Sequence, residues 1–278
     1  MSLIDNLISY WKLDGNSNDE VGSNNGADTD IVYNSGNGII NQGAGFNGTT
    51  SKIDLGQDAS LALTSAGTIN LWVKPDLSGL KAWYWLVDYS NITSGLNGYS
   101  VWLQFGGSTY NFWGRIGDSS SFNQVTSAFD VPSGVWTMLT FTWDGSTLKV
   151  YKNGTIDSNT TPQTINSLVS ASYHLLFGRD NVSIVDNEPY NGAEDEIGIW
   201  SRALSGTEIT MLYNSGVGLA YPFVKLFTLI ATTGSYVFSG KSISFSNILE
   251  WIFQGKNSST WNNQSKNNSN WTNQNKND

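Results

Sequence analysis

The run Trp136-Thr137-Met138-Leu139-Thr140-Phe141-Thr142-Trp143-Asp144-Gly145-Ser146-Thr147-Leu148-Lys149-Val150-Tyr151 decides the fold class. Its first half is rich in β-branched and aromatic residues, which suit a pleated, half-buried surface. Asp144-Gly145 then supplies a turn with positive φ, and Thr147 to Tyr151 returns along the first strand. Asn153-Gly154 forms a second tight turn directly after it. Outward from this hairpin the same texture repeats. Ile8 to Leu13, Gly67 to Lys74, Tyr99 to Phe105 and Tyr110 to Ile116 read as short strands between clusters of Gly, Asn, Asp and Ser. That pattern, from about residue 8 to residue 200, predicts an all-β sandwich or barrel.

One helix is expected. Ser205 with Glu208 three residues later forms a capping box, Ile209, Leu212 and Tyr213 recur at helical spacing, and Gly216 is placed to end the helix. The 278 residues are enough to bury a sizeable core without staples, and the absence of Cys excludes a disulfide framework and a Cys-ligated metal. A single histidine, His174, leaves little room for His-based metal or triad chemistry, and it reads as a satisfied residue of the sheet. The densest apolar stretch, Phe223 to Ala231, is far short of the ~20 residues of a membrane span and contains Lys225. Met1 runs almost directly into the first strand pattern, as expected of a chain not secreted by its own signal.

Charge is distributed unevenly. Nine basic residues stand against 21 acidic ones up to Pro222, and five lysines against two acids beyond it, for a net charge of −9. An acidic body repels nucleic acid, and five scattered lysines make a poor phosphate-binding patch, so nucleic-acid binding is not expected. After Pro222 the composition changes. We divide the chain into 1–222, a small β linker or anchor over 223–255, and an Asn-rich tail over 256–278. The pattern W-x-x-Q-x-K occurs three times, at Trp251/Gln254/Lys256, Trp261/Gln264/Lys266 and Trp271/Gln274/Lys276. On a helix a ten-residue period would rotate successive Trp by ~80°, whereas on an extended chain an even period keeps them on one face. The tail is therefore expected to be extended and β-like, with Trp251, Trp261 and Trp271 as assembly residues, most simply in a homotrimer.

The stretch Gly192-Ala193-Glu194-Asp195-Glu196-Ile197-Gly198-Ile199-Trp200-Ser201-Arg202-Ala203-Leu204-Ser205, followed by Glu208-Ile209 and Leu212-Tyr213, resembles the closing strand and helix of laminin-G-like, concanavalin A-like domains. Tyr10-Trp11-Lys12-Leu13-Asp14-Gly15 is similar to the opening strand of that family. Gly45-Phe46-Asn47-Gly48 leading to Ile53-Asp54-Leu55, the Thr68 to Lys74 strand, and Trp143-Asp144-Gly145 with Val150-Tyr151-Lys152-Asn153-Gly154 match in the same order. The resemblance covers about residues 5–222. It implies an all-β, concanavalin A-like two-sheet jelly-roll sandwich, to which the extended β-like C-terminal tail is added. The tail itself resembles C-terminal regions of bacteriophage structural proteins.

The resemblance raises three chemistries. Glucanases on this fold place carboxylates as E-x-D-x-x-E on one strand. Here strict alternation puts Glu194 and Glu196 on one face and Asp195 on the other, with no acid at the required following position, so no enzyme activity is expected. Family members often hold a structural Ca²⁺ between the opening strand and the closing D-E strand. The carried-over ligands are Asp19 and Asp195, with Asn24 or a backbone carbonyl completing a hard-oxygen shell. Glycan binding would use exposed rings, with Trp83-Tyr84-Trp85 and Trp113 as candidates and Trp83 and Tyr84 as the chosen site. Two functional readings follow. One is a virion structural protein that displays a lectin-like domain at the virion surface, anchored to other virion proteins by its tail and facing a host surface glycan. The other is a carbohydrate-binding module of a bacterial surface or secreted, extracellular protein.

Overall fold

The computed structural model describes residues 2–91, 97–165, 168, 173–181 and 189–224. Residues 225–278 lie outside that set, and with them Trp251, Trp261 and Trp271 and every expectation placed on the tail.

Fifteen strands alternate with tight turns. They run β1 (Leu7–Trp11), β2 (Ala27–Thr29), β3 (Val32–Asn34), β4 (Gly43–Asn47), β5 (Lys52–Asp54) and β6 (Gly67–Pro75). Next come β7 (Trp83–Asn91), β8 (Asn97–Phe105), β9 (Tyr110–Gly117), β10 (Phe122–Asp130) and β11 (Thr137–Trp143). The last are β12 (Thr147–Lys152), β13 (Thr155–Pro162), β14 (Leu176–Phe177) and β15 (Asn191–Trp200). An eight-stranded sheet has the order β13-β12-β11-β6-β15-β4-β3, with β1 also paired to β15. A seven-stranded sheet has the order β10-β9-β8-β7-β14-β5-β2. All pairings within the two sheets are antiparallel. The layers face each other as a jelly-roll sandwich, the fold that the family resemblance implies. The hairpin read from Trp136 to Tyr151 is β11 and β12, with Phe141 opposite Val150, and Asn153-Gly154 turns into β13 with both residues at positive φ.

Between the sheets lies the main core, built from alternate residues such as Ile69, Leu71 and Val73 of β6, Phe141 and Trp143 of β11, and Tyr99, Val101 and Leu103 of β8. The sheets approach closely at Gly114 of β9, where a β-carbon would sit 2.4 Å from the Phe141 ring. A second core lies on the outer face of the eight-stranded sheet. There the α-helix α1 (Gly206–Tyr213) packs Ile209 and Leu212 against Tyr10, Trp72, Met138 and Trp200. The capping box of Ser205 and Glu208 starts the helix, and Asn214 rather than Gly216 ends it, in the left-handed conformation. Covered on both faces, β15 is buried almost throughout.

Phe223, which the change of composition places in a linker, packs edge-on against Tyr10 with ring centroids 5.3 Å apart, and Tyr221 lies beside it. Among the described residues no helix is long and apolar enough to cross a membrane.

Candidate functional site

Antiparallel strands place every second residue on the outer face, and register lines those residues up across the sheet. On the outer face of the seven-stranded sheet this produces a row of aromatic rings. Trp85 of β7 pairs with Trp102 of β8, which pairs with Trp113 of β9. The Trp85 and Trp102 centroids are 5.3 Å apart, and Trp102 stacks on Trp113 at 5.8 Å with an interplanar angle of 18°. Trp85 and Trp102 are 6% and 4% exposed yet belong to neither hydrophobic core, and Trp113 is half-buried. Trp83, two residues before Trp85, lies on the same face and is 40% exposed.

A polar row runs parallel to the rings. Asp88 of β7 is opposite Ser100 of β8, which is opposite Arg115 of β9. The Arg115 guanidinium lies 5.2 Å from the Trp102 ring centroid and 5.8 Å from that of Phe122. Burial pushes its pKa down, against the opposing influence of the Asp88 charge. Its Nη2 and the Ser100 hydroxyl oxygen are both buried without a hydrogen-bond partner. Asp88 is fully engaged. Ser90 donates to its Oδ1 at 2.5 Å, and the Asn181 backbone N–H donates to Oδ2 at 2.8 Å. Burial raises the Asp88 carboxyl to about 6 in spite of these bonds. The face therefore offers rings beside buried polar groups with unused hydrogen-bonding capacity, which is the chemistry that recognises a hydroxylated ring.

The chosen pair Trp83 and Tyr84 is split by this arrangement. Neighbours in a strand face opposite ways, and Tyr84 is the inward one: it is fully buried in the main core, with its ring 5.4 Å from that of Tyr110. Tyr84 is thus corrected from a sugar-facing to a core residue. Trp102 and Arg115 were missed. Their alternation, in Val101-Trp102-Leu103 and Gly114-Arg115-Ile116, is legible, but their meeting depends on strand register. A groove of about 690 Å³ on the opposite sheet, bounded by Lys74, Asp76 and Asn191 around Gly45 and Ala193, has no exposed ring, since its one aromatic, Phe46, points into the core.

The closing acidic strand also departs from strict alternation. A β-bulge shifts the register between Asp195 and Gly198, and Glu196 has φ of 51°. Glu194 stands opposite Ala44 and Val73 and points into the main core, with neither carboxylate oxygen hydrogen-bonded. Burial drives its pKa well above the ordinary carboxylate range. Glu196 lies on the other side, where the Tyr10 hydroxyl donates to it at 2.5 Å. The expectation that Glu194 and Glu196 share a face is therefore corrected: the extra residue of the bulge turns Glu196 to the side of Asp195. His174 precedes β14, is exposed, and pairs through Nδ1 with Asp54 at 2.5 Å.

The residues carried over for calcium were tested on the same terms. The structure brings Asp19 and Asn24 together, the Asn24 N–H donating to Asp19 Oδ2 at 3.1 Å. Asp19 Oδ1 accepts from the N–H groups of Tyr10 and Val21. Asp195 serves a different segment, with Oδ2 accepting from the N–H groups of Ile39 and Ile40 at 2.8 and 3.1 Å. A cation would have to displace these donors, and only Asn24 Oδ1 is left as a buried oxygen without a partner. Among the described residues no group of three or more His, Cys, Asp or Glu side chains is placed to hold a metal ion. Asp19, Asn24 and Asp195 do not form a calcium shell in this arrangement.

Comparison with known proteins agrees with the fold. A stretch of 100 residues is 34% identical to Adhesion G-protein coupled receptor D1 of Homo sapiens, covering 33% of this chain and 10% of the receptor. The chain thus spans about a tenth of the length of the curated relatives it matches. Domain 4 of AbnA, a GH43 extracellular arabinanase from Geobacillus stearothermophilus solved in complex with arabinotriose, superposes with a TM-score of 0.57 at 23% identity, covering 73% of this chain and 96% of that one. The binding domain of Paraclostridial Mosquitocidal Protein 1 gives 0.63 at 20% identity, over 77% of this chain and 53% of that one. Residues 47–210, more than half of the chain, match the Laminin_G_3 family, and this protein belongs to that branch of the concanavalin A-like lectin/glucanases superfamily.

Proposed function

We propose that this chain is a carbohydrate-binding domain whose sugar lies across the outer face of the seven-stranded sheet. The observation that carries the reading is the Trp85–Trp102–Trp113 row beside the unpartnered polar atoms of Ser100 and Arg115. Trp113 and Trp83 provide ring surface, and the polar row supplies direction. The similarity to an arabinanase domain solved with arabinotriose, and to a toxin binding domain, supports a binding role. Glu194 faces the core, and Asp195 and Glu196, which share the other side, are buried and engaged by Ile39, Ile40 and Tyr10, so neither is presented to a glycosidic bond.

A glycan panel, followed by NMR titration with arabinotriose and the strongest panel hit, tests this. Trp113→Ala is expected to weaken binding at least tenfold, the equivalent of ~1.4 kcal/mol, with the β-sheet circular dichroism of the parent retained and no sugar cleavage in any arm. Binding to no glycan on the panel, or equal affinity in Trp113→Ala and Trp83→Ala, overturns the reading.

A second reading rests on a different observation, the three W-x-x-Q-x-K copies beyond residue 250. An unpaired tail would leave about 150–250 Å² of aromatic surface per ring in water, several kcal/mol each at ~25 cal/mol per Å². Burial of those rings against copies of the chain or against other virion proteins would make the domain a particle-displayed lectin. A chain truncated after Val224 is then expected to be a folded monomer, and the full chain a trimer by light scattering. The same mass per particle for both chains rules this reading out.

A further inference from the structure

The Arg115 guanidinium is a cation on the aromatic face, and among the described residues its surroundings do not account for it. A buried guanidinium is ordinarily paired with a carboxylate, because an unpaired one forfeits its hydration with nothing in return. Among the described residues no acidic side chain forms an ion pair with Arg115. Asp88, the acid whose charge it senses, stands two strands away in the row, beyond Ser100, and its oxygens are taken by Ser90 and Asn181. The guanidinium instead lies 5.2 Å from the Trp102 ring centroid and 5.8 Å from that of Phe122, with Nη2 unpartnered. A guanidinium fork without a carboxylate partner is the group best matched to a planar carboxylate.

We infer that this face selects a sugar bearing a carboxylate, with the half-buried Arg115 as its counter-ion. The inference rests on the carbohydrate-binding reading above and specifies its ligand class. It also explains how an acidic domain can take an anionic ligand: long-range repulsion is screened at physiological salt, while a contact beside desolvated rings is screened far less. The chemistry is common to hexuronates and sialic acids, so both are needed as probes.

The experiment is calorimetric titration of the full chain with four ligands: tri-galacturonate, its methyl ester, 3′-sialyllactose and lactose. The expected result is that at least one carboxylated sugar binds tenfold or more tightly than its neutral partner, and that Arg115→Gln brings this ratio close to one. Galacturonate preference assigns a hexuronate ligand, and sialyllactose preference assigns a sialoside. The ligand-side comparison of acid with ester stands even where the Arg115→Gln chain does not fold. If the neutral sugars bind as tightly as the acids and shift the Trp113 indole resonance, the carboxylate inference fails and the carbohydrate reading stands. If none of these ligands binds while a neutral glycan from the panel does, the inference fails in the same way. If no ligand, panel hits included, shifts that resonance, both fail.

Discussion

Replacement of Arg202 by Leu is expected to lower the melting temperature by about 10 °C, the effect of losing ~3 kcal/mol in a domain of this size. Arg202 is where three parts of the chain are tied together. Its Nε donates to the Asp5 carbonyl at 2.8 Å and Nη2 to the Ser2 carbonyl at 2.8 Å. Nη1 and Nη2 also hold the two carboxylate oxygens of Glu208, at 3.0 and 2.6 Å. Glu208 in turn accepts from the Ser205 backbone N–H at 2.9 Å, closing the capping box of α1. The pair is nearly enclosed, with side chains 12% and 9% exposed, so removal of the guanidinium leaves a desolvated carboxylate unpaired. In the Arg202→Leu background, Glu208→Gln should recover part of the loss, because glutamine keeps the cap and removes the stranded charge.

The same clasp sets an acid limit. Burial opposes the Glu208 charge, but the Arg202 and Ser205 hydrogen bonds prevail and hold the carboxyl down at about 2. A depressed carboxylate contributes stability that is complete above its unfolded pKa of about 4.5 and is lost as pH falls toward 2. Melting curves should therefore show a downward slope between those values in the parent chain and a shallower one in Arg202→Leu. Equal slopes, or a melting temperature shift under 3 °C, would show that the clasp carries little of the stability.

Glu194→Met should raise the melting temperature, by about 5 °C for a gain of ~2 kcal/mol. The Glu194 side chain points between the sheets from β15, opposite Val73 and Ala44, and neither of its oxygens has a hydrogen-bond partner. A buried polar group without partners costs ~1–3 kcal/mol relative to one that is satisfied. Methionine has nearly the same length and volume, tolerates irregular gaps, and removes the polar atoms without opening a cavity. Differential scanning calorimetry at pH 7 measures the change directly. A lower melting temperature would mean that internal water satisfies the carboxyl, and the argument from unpaired oxygens would be wrong.

Local signals were sufficient for the elements whose cause is local. Asp144-Gly145 and Asn153-Gly154 bend the chain by their own backbone preferences, so β11, β12 and β13 were readable before any packing was known. Ser205 and Glu208 satisfy each other's backbone across three residues, so the start of α1 was readable as well. Alternation in β6, β8, β9 and β11 already implied half-buried strands of a sandwich or barrel. Alternation alone does not say which neighbour turns inward. Trp83 and Tyr84 are equally aromatic, and packing against Tyr110 and Tyr190 made Tyr84 the core residue.

Bulges were equally invisible, because they are defined by the partner strand. The one after Trp85 sends both Leu86 and Val87 into the core, and the one after Asp195 separates Glu194 from Glu196. The candidate site follows the same rule. Asp88, Ser100 and Arg115 lie on three strands, and nothing in their spacing along the chain announces the row they form. The sequence by itself determined the strands, their turns and the capped helix, since periodicity and turn chemistry act within a few residues, and its family resemblance implied the two-sheet sandwich. Only the tertiary structure decided the aromatic face and its unpaired Arg115, because cross-strand register sets which side chains meet and burial sets which of them lose their water.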